Sequence, residues 1–380
     1  MKILYITTVG VTMNFFKSFI KSQLDLGNQI DIATNEYGGK YMVPSCYGEW
    51  QCGIYHIDTS RSPISLGNIY AIKQIRELVE RNHYDMVHCH TPLAAAATRI
   101  ACKDLRKNGL KVIYTAHGFH FYDGAPLKNW LIYYPVEKFL SRYTDAIITI
   151  NKEDYKRAKD KFQAGKVFYI PGIGFDTEKF ANCNVNKEAK RRELDVKDDD
   201  FLMLSVGELS SRKNQTIIIE ALYKMKVAGS IGSIVYLAVG QGNMEEKIKD
   251  KVKKYGLGSH VKLLGRRTDI AELCKTVDCF VHPSIREGLG IAPLEGMAAG
   301  LPLISSYVGG IRDYTEDDVS GCCIDPFSVD GMVAAIKRMR DDKAFRIKCG
   351  SNNIKKVKKY DKNNSNAIMA EIYKTVCLEK

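Results

Sequence analysis

The sequence predicts an α/β protein with two Rossmann-like domains, each built on a parallel sheet, and three observations support this class. Short apolar runs rich in β-branched residues alternate with longer runs in which apolar residues recur at helical spacing. This alternation is typical of parallel sheets with helices on both faces. It breaks at Pro171–Gly174 and then restarts. The length of 380 residues also exceeds one ordinary α/β core, so two domains are expected.

The first domain is predicted to span residues 1–172. Its expected strands are Lys2–Thr7, Asn28–Thr34, Gly53–Ile57, Met86–His90, Lys111–Ala116, Asp145–Ile150 and Val167–Pro171. Helical patterns lie between most of them, as at Asn14–Leu26, Asn68–Arg81 and Leu93–Lys107. This order of elements predicts a doubly wound sheet.

The second domain is predicted to span residues 173–360. Its expected strands are Phe201–Val206, Ile234–Val239, Val261–Leu264, Cys279–His282 and Pro302–Ser305. Consecutive helices follow from about Val329, and we expect the last one, 361–380, to pack back onto the first domain. Because open α/β sheets bind ligands at the carboxyl ends of their strands, we expect the two sheets to face each other across a cleft that holds two substrates.

Composition and charge restrict the class of protein. The net charge of +12 favours anionic partners, namely a phosphate ligand or an anionic membrane surface. Lysine and arginine are spread along the chain, so we expect no nucleic-acid partner. The 11 cysteines form no regular framework, and neither a convincing signal peptide nor a membrane-spanning apolar stretch is present. We therefore expect a cytoplasmic protein with reduced thiols, for which peripheral membrane attachment stays open.

The most informative segment reads HPSIREGLGIAPLEG and begins at His282. Gly288 and Gly290 favour a tight loop after a strand, and Pro293 suits the first turn of a helix. Free backbone N–H groups at such a helix start can bind a diphosphate, and Glu295 can accept hydrogen bonds from a ribose diol. The structural alternative is that this glutamate and Glu287 are a helix-start acid and a solvated loop acid.

The spacing Glu287-(seven residues)-Glu295 resembles the E-x7-E signature of retaining glycosyltransferases of the GT-B fold, family 4. The segment VGELSSRKN, 206–214, resembles that family's strand and loop with an Arg-Lys pair. Residues 309–313, GGIRD, resemble its G-G-x-x-E loop, although aspartate stands where glutamate is usual. TAHG, 115–118, resembles its histidine loop. The resemblance covers nearly the whole chain.

The longer runs HCHTP, TAHGFHFYDGAP and TINKEDYKRAK resemble bacterial enzymes that build capsule, exopolysaccharide and O-antigen repeat units. This resemblance implies a retaining, metal-independent sugar transfer from a nucleotide-sugar, with a UDP-sugar as the expected donor. It also implies a polyprenyl-diphosphate-linked glycan as the acceptor in cell-surface polysaccharide synthesis. No cofactor is expected, because the nucleotide-sugar is a co-substrate.

Arg212 and Lys213 follow a predicted strand, where two adjacent cations can neutralise a diphosphate. The resemblance gives them the role of stabilising the leaving diphosphate, and places His117 beside the donor sugar. Each side chain has a structural alternative, an exposed basic pair and a histidine bonded to a loop carbonyl. The expected catalytic residues are His117, Glu287, Arg212 and Lys213. The expected donor-binding residues are Gly10, Gly288, Leu289, Gly290 and Glu295.

A metal site is an alternative use of four histidines. His88 and His90 lie on the same face of one predicted strand, and His117 and His120 follow the next strand along the chain. No acidic or thiol ligand is spaced to complete the set, and Asp198–Asp200 precedes a strand and indicates a solvated turn. We therefore expect no metal.

The segment Ala125–Arg142 combines aromatic and aliphatic residues with the cations Lys128, Lys138 and Arg142. This composition fits a helix that lies in a membrane interface, with Trp130 among its anchors. A helix that turns its aromatic residues into the core fits equally well. Two alternative functions stay open: a nucleotide-sugar epimerase of the same architecture, and a non-catalytic protein that binds sugar or membrane.

Overall fold

The computed structural model describes residues 1–378 and contains two parallel sheets in that part of the chain. The first sheet has seven strands in the order β3-β2-β1-β4-β5-β6-β7. Its strands are β1 (Lys2–Val9), β2 (Gln29–Asn35), β3 (Ile54–His56), β4 (Met86–His90), β5 (Lys111–Ala116), β6 (Ala146–Thr149) and β7 (Lys166–Tyr169).

The second sheet has six strands in the order β10-β9-β8-β11-β12-β13. Its strands are β8 (Phe201–Val206), β9 (Ile234–Val239), β10 (Val261–Leu263), β11 (Cys279–His282), β12 (Leu303–Ser306) and β13 (Gly321–Ile324). All twelve predicted strands are confirmed, with bounds that differ by at most two residues. The prediction missed β13, because its sequence GCCI is short and begins with a glycine. Pairing with β12 makes it a strand.

The first unit contains six helices among its residues up to Gly174. They are α1 (Lys17–Asp25), α2 (Cys46–Glu49), α3 (Gly67–Asn82), α4 (Pro92–Cys102), α5 (Leu127–Ser141) and α6 (Lys152–Lys161). The predicted helix Asn14–Leu26 is wrong in its first turn, since Gly10–Phe16 forms a 3-10 turn. Gly10 lies so close to the backbone of residues 41–43 that a Cβ atom would stand 2.4 Å from the Tyr41 carbonyl oxygen.

The remaining helices follow along the chain. They are α7 (Thr177–Ala181), α8 (Lys187–Glu193), α9 (Thr216–Val227), α10 (Glu245–Lys254), α11 (Ile270–Thr276), α12 (Ile291–Ala298), α13 (Val329–Asp341), α14 (Lys343–Val357) and α15 (Lys362–Cys377). The chain divides into two compact units, of which the second is Phe175–Asp361. The first unit combines Met1–Gly174 with α15. The division lies two residues after the boundary that the sequence predicts at residue 172.

Helix α15 packs on α1 and on two central strands of the first sheet. The Tyr373 hydroxyl lies 2.7 Å from the Tyr5 hydroxyl of β1 and 2.5 Å from Nδ1 of His88 on β4. The Tyr373 ring also meets the edge of Phe19 on α1. These contacts fix the C-terminal helix on the first unit.

Strand order places the candidate residues within each sheet. In each sheet the first strand lies between the second and the fourth, as in the doubly wound order of dinucleotide-binding folds. The order therefore reverses between β1 and β4, and between β8 and β11. Ligands of such sheets bind outside the carboxyl ends of the strands at this reversal. The segments after β8 and β11 carry Arg212 and Glu287.

A buried ion pair fixes α5 to α4. Arg99 on α4 is fully buried, and its guanidinium donates to Oε2 of Glu137 on α5 at 2.8 Å. The same guanidinium lies 4.5 Å from the ring centroid of Tyr114. Because removal of one partner leaves an uncompensated buried charge, this pair strongly constrains which face of α5 meets the core.

We predict that Glu137→Ala destabilises the first unit by about 3 kcal/mol. Trp50 and Trp130 are the two tryptophans of the chain and both lie in this unit, so tryptophan fluorescence in a urea titration follows its unfolding. Glu77→Ala is the matched control, because its pair with Lys73 spans 3.7 Å on an exposed surface and should cost less than about 0.5 kcal/mol. Equal midpoints for the two variants would contradict the prediction.

Candidate functional site

The Glu287 carboxylate is the centre of the site in the second unit. Its Oε1 atom lies 2.5 Å from Nζ of Lys213 and 3.2 Å from a guanidinium nitrogen of Arg212. It also accepts from the Ser284 hydroxyl at 2.9 Å, and Nε2 of His282 lies 3.2 Å away. The Glu287 side chain is only 8% exposed. The structure thus brings together the predicted residues Arg212, Lys213 and Glu287.

Burial and charge act against each other at this carboxylate. Burial alone would raise the pKa of Glu287, but the His282 hydrogen bond and the Lys213 charge outweigh it and lower the pKa. Burial lowers the pKa of His282 as well, so we take its ring as neutral and as a donor to the carboxylate. The Glu287 carboxylate is therefore ionised at neutral pH, and it pairs with the Lys213 ammonium group from the loop after β8.

Backbone contacts join the loops that follow β8 and β11. The Ile285 amide donates to the Arg212 carbonyl at 2.9 Å, and the Asn214 amide side chain donates to the Pro283 and Pro326 carbonyls. Asn214 has a φ of 57°, in the left-handed region that asparagine tolerates. These contacts hold the Arg212 side chain, which is 45% exposed, beside the buried Glu287.

The residues Gly288–Gly290 lead from Glu287 into α12. Gly290 has a φ of 83° and stands directly before the first residue of the helix. Its carbonyl and that of Leu289 accept from the Tyr314 hydroxyl. A Cβ atom on Gly310 would stand 2.0 Å from the Gly288 carbonyl oxygen, so only glycine permits this approach. Tyr314 and Gly310 thus fix the conformation of this loop, and a helix start of this kind can bind an anion.

Glu295 lies on α12, one turn past the helix start, as the sequence predicts. Burial raises its pKa to about 7, and the charge of Lys179 on α7 lowers it only in part. Cys274 on α11 also faces it, and burial keeps that thiol protonated by raising its pKa. A carboxyl group in such a position gains from a ligand that donates hydrogen bonds to it.

His117 lies in the first unit, in the loop after β5. Its Nε2 atom is 3.2 Å from Nδ1 of His90 on β4. His88 on the same strand has both ring nitrogens bonded, to the Tyr373 hydroxyl and to the Thr115 hydroxyl. Burial lowers the pKa of His117 to about 4 and that of His88 to about 3, so both rings are neutral at pH 7.

The histidines do not form a recognisable metal site. The His120 ring lies against the Tyr133 ring of α5, with centroids 4.6 Å apart and planes tilted by 37°. Among residues 1–378, no three His, Cys, Asp or Glu side chains are arranged to hold a metal ion. Gly10, which the sequence predicts as a donor contact, is buried at the start of its 3-10 turn in the first unit. Its lack of a side chain is explained by the Tyr41–Val43 backbone that it touches.

Helix α5 turns Trp130 toward the core and exposes a different set of apolar residues. The Trp130 ring packs on Phe121 and Tyr134, and the Arg157 guanidinium lies over it at 5.0 Å. Trp130 is thus partly buried against the core, and its contribution to a membrane interface stays a prediction. The outward face carries Leu127, Leu131, Ile132, Val136 and Phe139, which are 50–71% exposed. None of the helices between residues 1 and 378 is long and apolar enough to cross a membrane.

Sequence reasoning missed several residues that build the site. His282 and Ser284 both bond to Glu287. They lie in the same segment as Glu287 and Glu295, but no role was predicted for either of them. Their spacing from Glu287 is visible in the sequence, but no pattern indicates that the loop folds back on them. His90 was grouped with His117 only as a possible metal ligand, and Tyr373 was missed as the partner of His88, because these contacts join distant parts of the chain.

Comparison with known families agrees with this arrangement. The family described as "Glycosyl transferases group 1" matches residues 186–356, and the family described as "Glycosyl transferase 4-like" matches residues 2–151. Each match covers most of one structural unit. The two matches place the Glu287 segment in the first family and the His117 loop in the second.

Two curated relatives are similar over most of their length. EpsD of Bacillus subtilis, which is named as a glycosyltransferase, is 39% identical over 326 residues, 85% of this chain and 83% of EpsD. The Escherichia coli UDP-Gal:alpha-D-GlcNAc-diphosphoundecaprenol alpha-1,3-galactosyltransferase is 30% identical over 295 residues, 75% of each chain.

Solved structures show the same fold. HepE from Anabaena, in complex with UDP and glucose, has a TM-score of 0.80 at 21% identity and covers 99% of this chain and 100% of its own. The lipopolysaccharide glycosyltransferase WaaG has a TM-score of 0.75 at 19% identity, with 97% and 99% covered. The predicted two-domain GT-B architecture with parallel sheets is thereby confirmed. The chain belongs to the group 1, family 4-type glycosyltransferases.

Proposed function

We propose that this glycosyltransferase moves a sugar from a UDP-sugar to a polyprenyl-diphosphate-linked glycan, with retention of the anomeric configuration. The observation that carries the proposal is the convergence of Arg212, Lys213 and Glu287 at the carboxyl ends of β8 and β11. The Escherichia coli relative supports the substrates, because its name gives UDP-Gal as donor and a diphosphoundecaprenol-linked sugar as acceptor.

In this proposal the second unit binds the nucleotide. The N–H groups of Gly288–Gly290 and the half-exposed Arg212 contact the diphosphate, and Glu295 accepts from the ribose hydroxyls. All four described contacts of the Glu287 carboxylate involve Oε1. The Oε2 atom is then the one to accept a hydrogen bond from a sugar hydroxyl.

Catalysis rests on charge and orientation. Negative charge develops on the leaving diphosphate as the glycosidic bond to phosphate breaks, and Arg212 and Lys213 stabilise it in place of a divalent metal. Retention follows if the acceptor hydroxyl attacks from the face that the diphosphate leaves. The departing phosphate oxygen then takes the acceptor proton, and no protein base is needed. His117 orients the donor sugar.

The acceptor proposal places the enzyme at the cytoplasmic face of a membrane. The outward apolar face of α5 supports this, because five exposed apolar side chains on one helix are more than a solvated surface helix needs. Lys128, Lys138 and Arg142 are exposed on the same helix or at its end and fit anionic headgroups. The buried Arg99–Glu137 pair fixes α5 with this face outward.

We predict that Arg212→Ala lowers kcat for UDP release by about 100-fold or more, because a donor to the developing charge is lost. The assay uses UDP-galactose, UDP-glucose and UDP-N-acetylglucosamine with an undecaprenyl-diphosphate-linked sugar, with and without EDTA. Lys213→Ala should show a similar loss. Lys253→Ala, on an exposed face of α10, is the control for a lost surface cation. Near-normal turnover of both site variants in folded protein would refute the assignment.

We predict that affinity for UDP-glucose rises about tenfold between pH 6 and pH 8. The pKa of Glu295 is near 7, and the ionised form accepts the ribose hydrogen bonds, so protonation below pH 7 weakens binding. UDP-glucose is the probe for calorimetry, because its diphosphate does not titrate in this range. Glu295→Gln should bind weakly at both pH values. A pH dependence retained in Glu295→Gln would assign the titration to another group.

We predict that Leu131→Ser combined with Phe139→Ser lowers binding to anionic liposomes by about tenfold or more, since two large apolar side chains are removed from the interface. Co-sedimentation with vesicles of phosphatidylglycerol and phosphatidylcholine measures the effect. The control is Val227→Ser on α9, which is 71% exposed in the other unit. Equal sedimentation of all three proteins would reject α5 as the membrane contact.

A further inference from the structure

The loop that follows β5 is fastened to helix α6. The two segments are the runs TAHGFHFYDGAP and TINKEDYKRAK, which are separated in sequence by α5 but meet in the first unit. Hydrogen bonds join residues 119–123 of the loop to the first turns of the helix. These bonds run from the Phe119 N–H to Asp154 Oδ2 at 3.0 Å, from the Asp123 N–H to Glu153 Oε1 at 2.7 Å, and from the Arg157 guanidinium to the Phe121 carbonyl at 3.1 Å and to the Asp123 carboxylate at 2.7 Å.

Asp154 is the buried acid of this set. Its side chain is 4% exposed, whereas that of Asp123 is 67% exposed. Its Oδ2 atom also accepts from the Asn151 side chain at 2.8 Å, and the Arg157 guanidinium lies 3.7 Å from Oδ1. Burial raises the pKa of Asp154 to about 6, and the hydrogen bonds from Asn151 and Phe119 oppose this rise only in part. The carboxyl group is therefore mostly ionised at pH 7, and a charged acceptor holds an N–H more strongly than a neutral one.

Gly118 is the joint between this anchor and His117. Its φ of 117° is a backbone angle that glycine adopts freely and other residues rarely adopt. The backbone before His117 is fixed by β5, which ends at Ala116, and the backbone two residues after it is fixed by the Phe119 hydrogen bond. Without the second of these restraints, His117 and Gly118 are free to change their backbone angles. The direction of the imidazole then is no longer fixed.

Apolar packing also holds the loop, but it is less directional than a hydrogen bond. The Phe119 and Phe121 rings are buried and stacked, with centroids 4.9 Å apart and planes 13° apart. Burial of the rings fixes how deep the loop lies in the core, because the hydrophobic effect depends on area and has no preferred direction. A hydrogen bond requires both a distance and an angle. Asp154 is thus the contact that orients the backbone beside His117.

We propose that Asp154 is a positioning residue for His117: its carboxylate holds the Phe119 N–H and thereby fixes the direction of the imidazole that orients the donor sugar. The simpler alternative is that Asp154 belongs only to the cap of α6, because its own N–H donates to the Asn151 side chain at the helix start. A cap does not require a bond to a separate loop, and the Phe119 bond is such a bond. This inference rests on the proposed role of His117, and the anchor itself is measurable without turnover.

The first experiment is amide hydrogen exchange of the full chain, measured by mass spectrometry on peptides that cover residues 117–123. In Asp154→Ala these peptides should exchange about tenfold faster or more, because the Phe119 N–H loses its buried acceptor and the loop opens more often. Asp154→Asn keeps an oxygen in this place and should exchange nearly as slowly as the wild type. The control is Asp160→Ala, which removes an exposed acid from the same helix and should leave the exchange unchanged. Equal exchange in Asp154→Ala and the wild type would overturn the anchor.

Turnover of the same variants tests whether the anchor matters for the reaction. We expect Asp154→Ala to lower kcat by about 10- to 100-fold with UDP affinity unchanged, because the donor sugar is misplaced while the nucleotide is bound by the second unit. Asp154→Asn should recover most of this loss. Asp154→Glu keeps the charge but moves the oxygens by the length of a methylene group, so it should lose kcat as Asp154→Ala does. Thermal melting establishes which variants are folded, and Asp154→Glu serves in place of Asp154→Ala if the latter is not.

A double variant separates the positioning role from the proposed function. If Asp154 acts through His117, then His117→Ala combined with Asp154→Ala turns over no more slowly than His117→Ala alone. Losses that multiply in the double variant, or no recovery in Asp154→Asn, would overturn the positioning role and leave the role of His117 as proposed. Normal turnover of His117→Ala would overturn the proposed role of His117 and with it the positioning role, even if the loop exchange responds to Asp154→Ala.

Discussion

The second unit is organised around one buried carboxylate. Glu287 joins the loops after β8 and β11, because its Oε1 atom binds side chains from both. An ionised carboxylate that is 8% exposed is stable only when cations and donors surround it. Arg212 and Lys213 meet this need and are thereby held at the proposed diphosphate site. The same ion pairs that stabilise the loops thus prepare a site for negative charge.

The first unit is organised around neutral polar groups. His88, His90 and His117 are neutral because burial lowers their pKa values, and each ring has at least one hydrogen-bond contact. Tyr373 from α15 closes one end of this array against Tyr5. Helix α15 therefore bonds to two buried side chains of the first sheet, Tyr5 on β1 and His88 on β4.

In helix α5, one buried ion pair decides which residues face the core and which face outward. Its aromatic and cationic residues fit both a core helix and an interfacial one. The buried Arg99–Glu137 pair orients the helix, so that Trp130 packs inward while Leu131 and Phe139 are exposed. Trp130 thus packs against the core, whereas Leu131 and Phe139 are available for contact with a surface partner.

The sequence alone determined twelve of the strands, their division between two sheets, and the Glu287–Glu295 segment. It could do so because apolar periodicity and glycine spacing are local properties of the chain. The sequence did not predict β13, because the segment Gly-Cys-Cys-Ile has no strand pattern of its own. It forms a strand by pairing with β12. The sequence also could not supply His282 and Ser284 as partners of Glu287, the contact of His90 with His117, or the direction of Trp130. Each of these depends on which side chains meet after the chain has folded, and only the tertiary structure decides that.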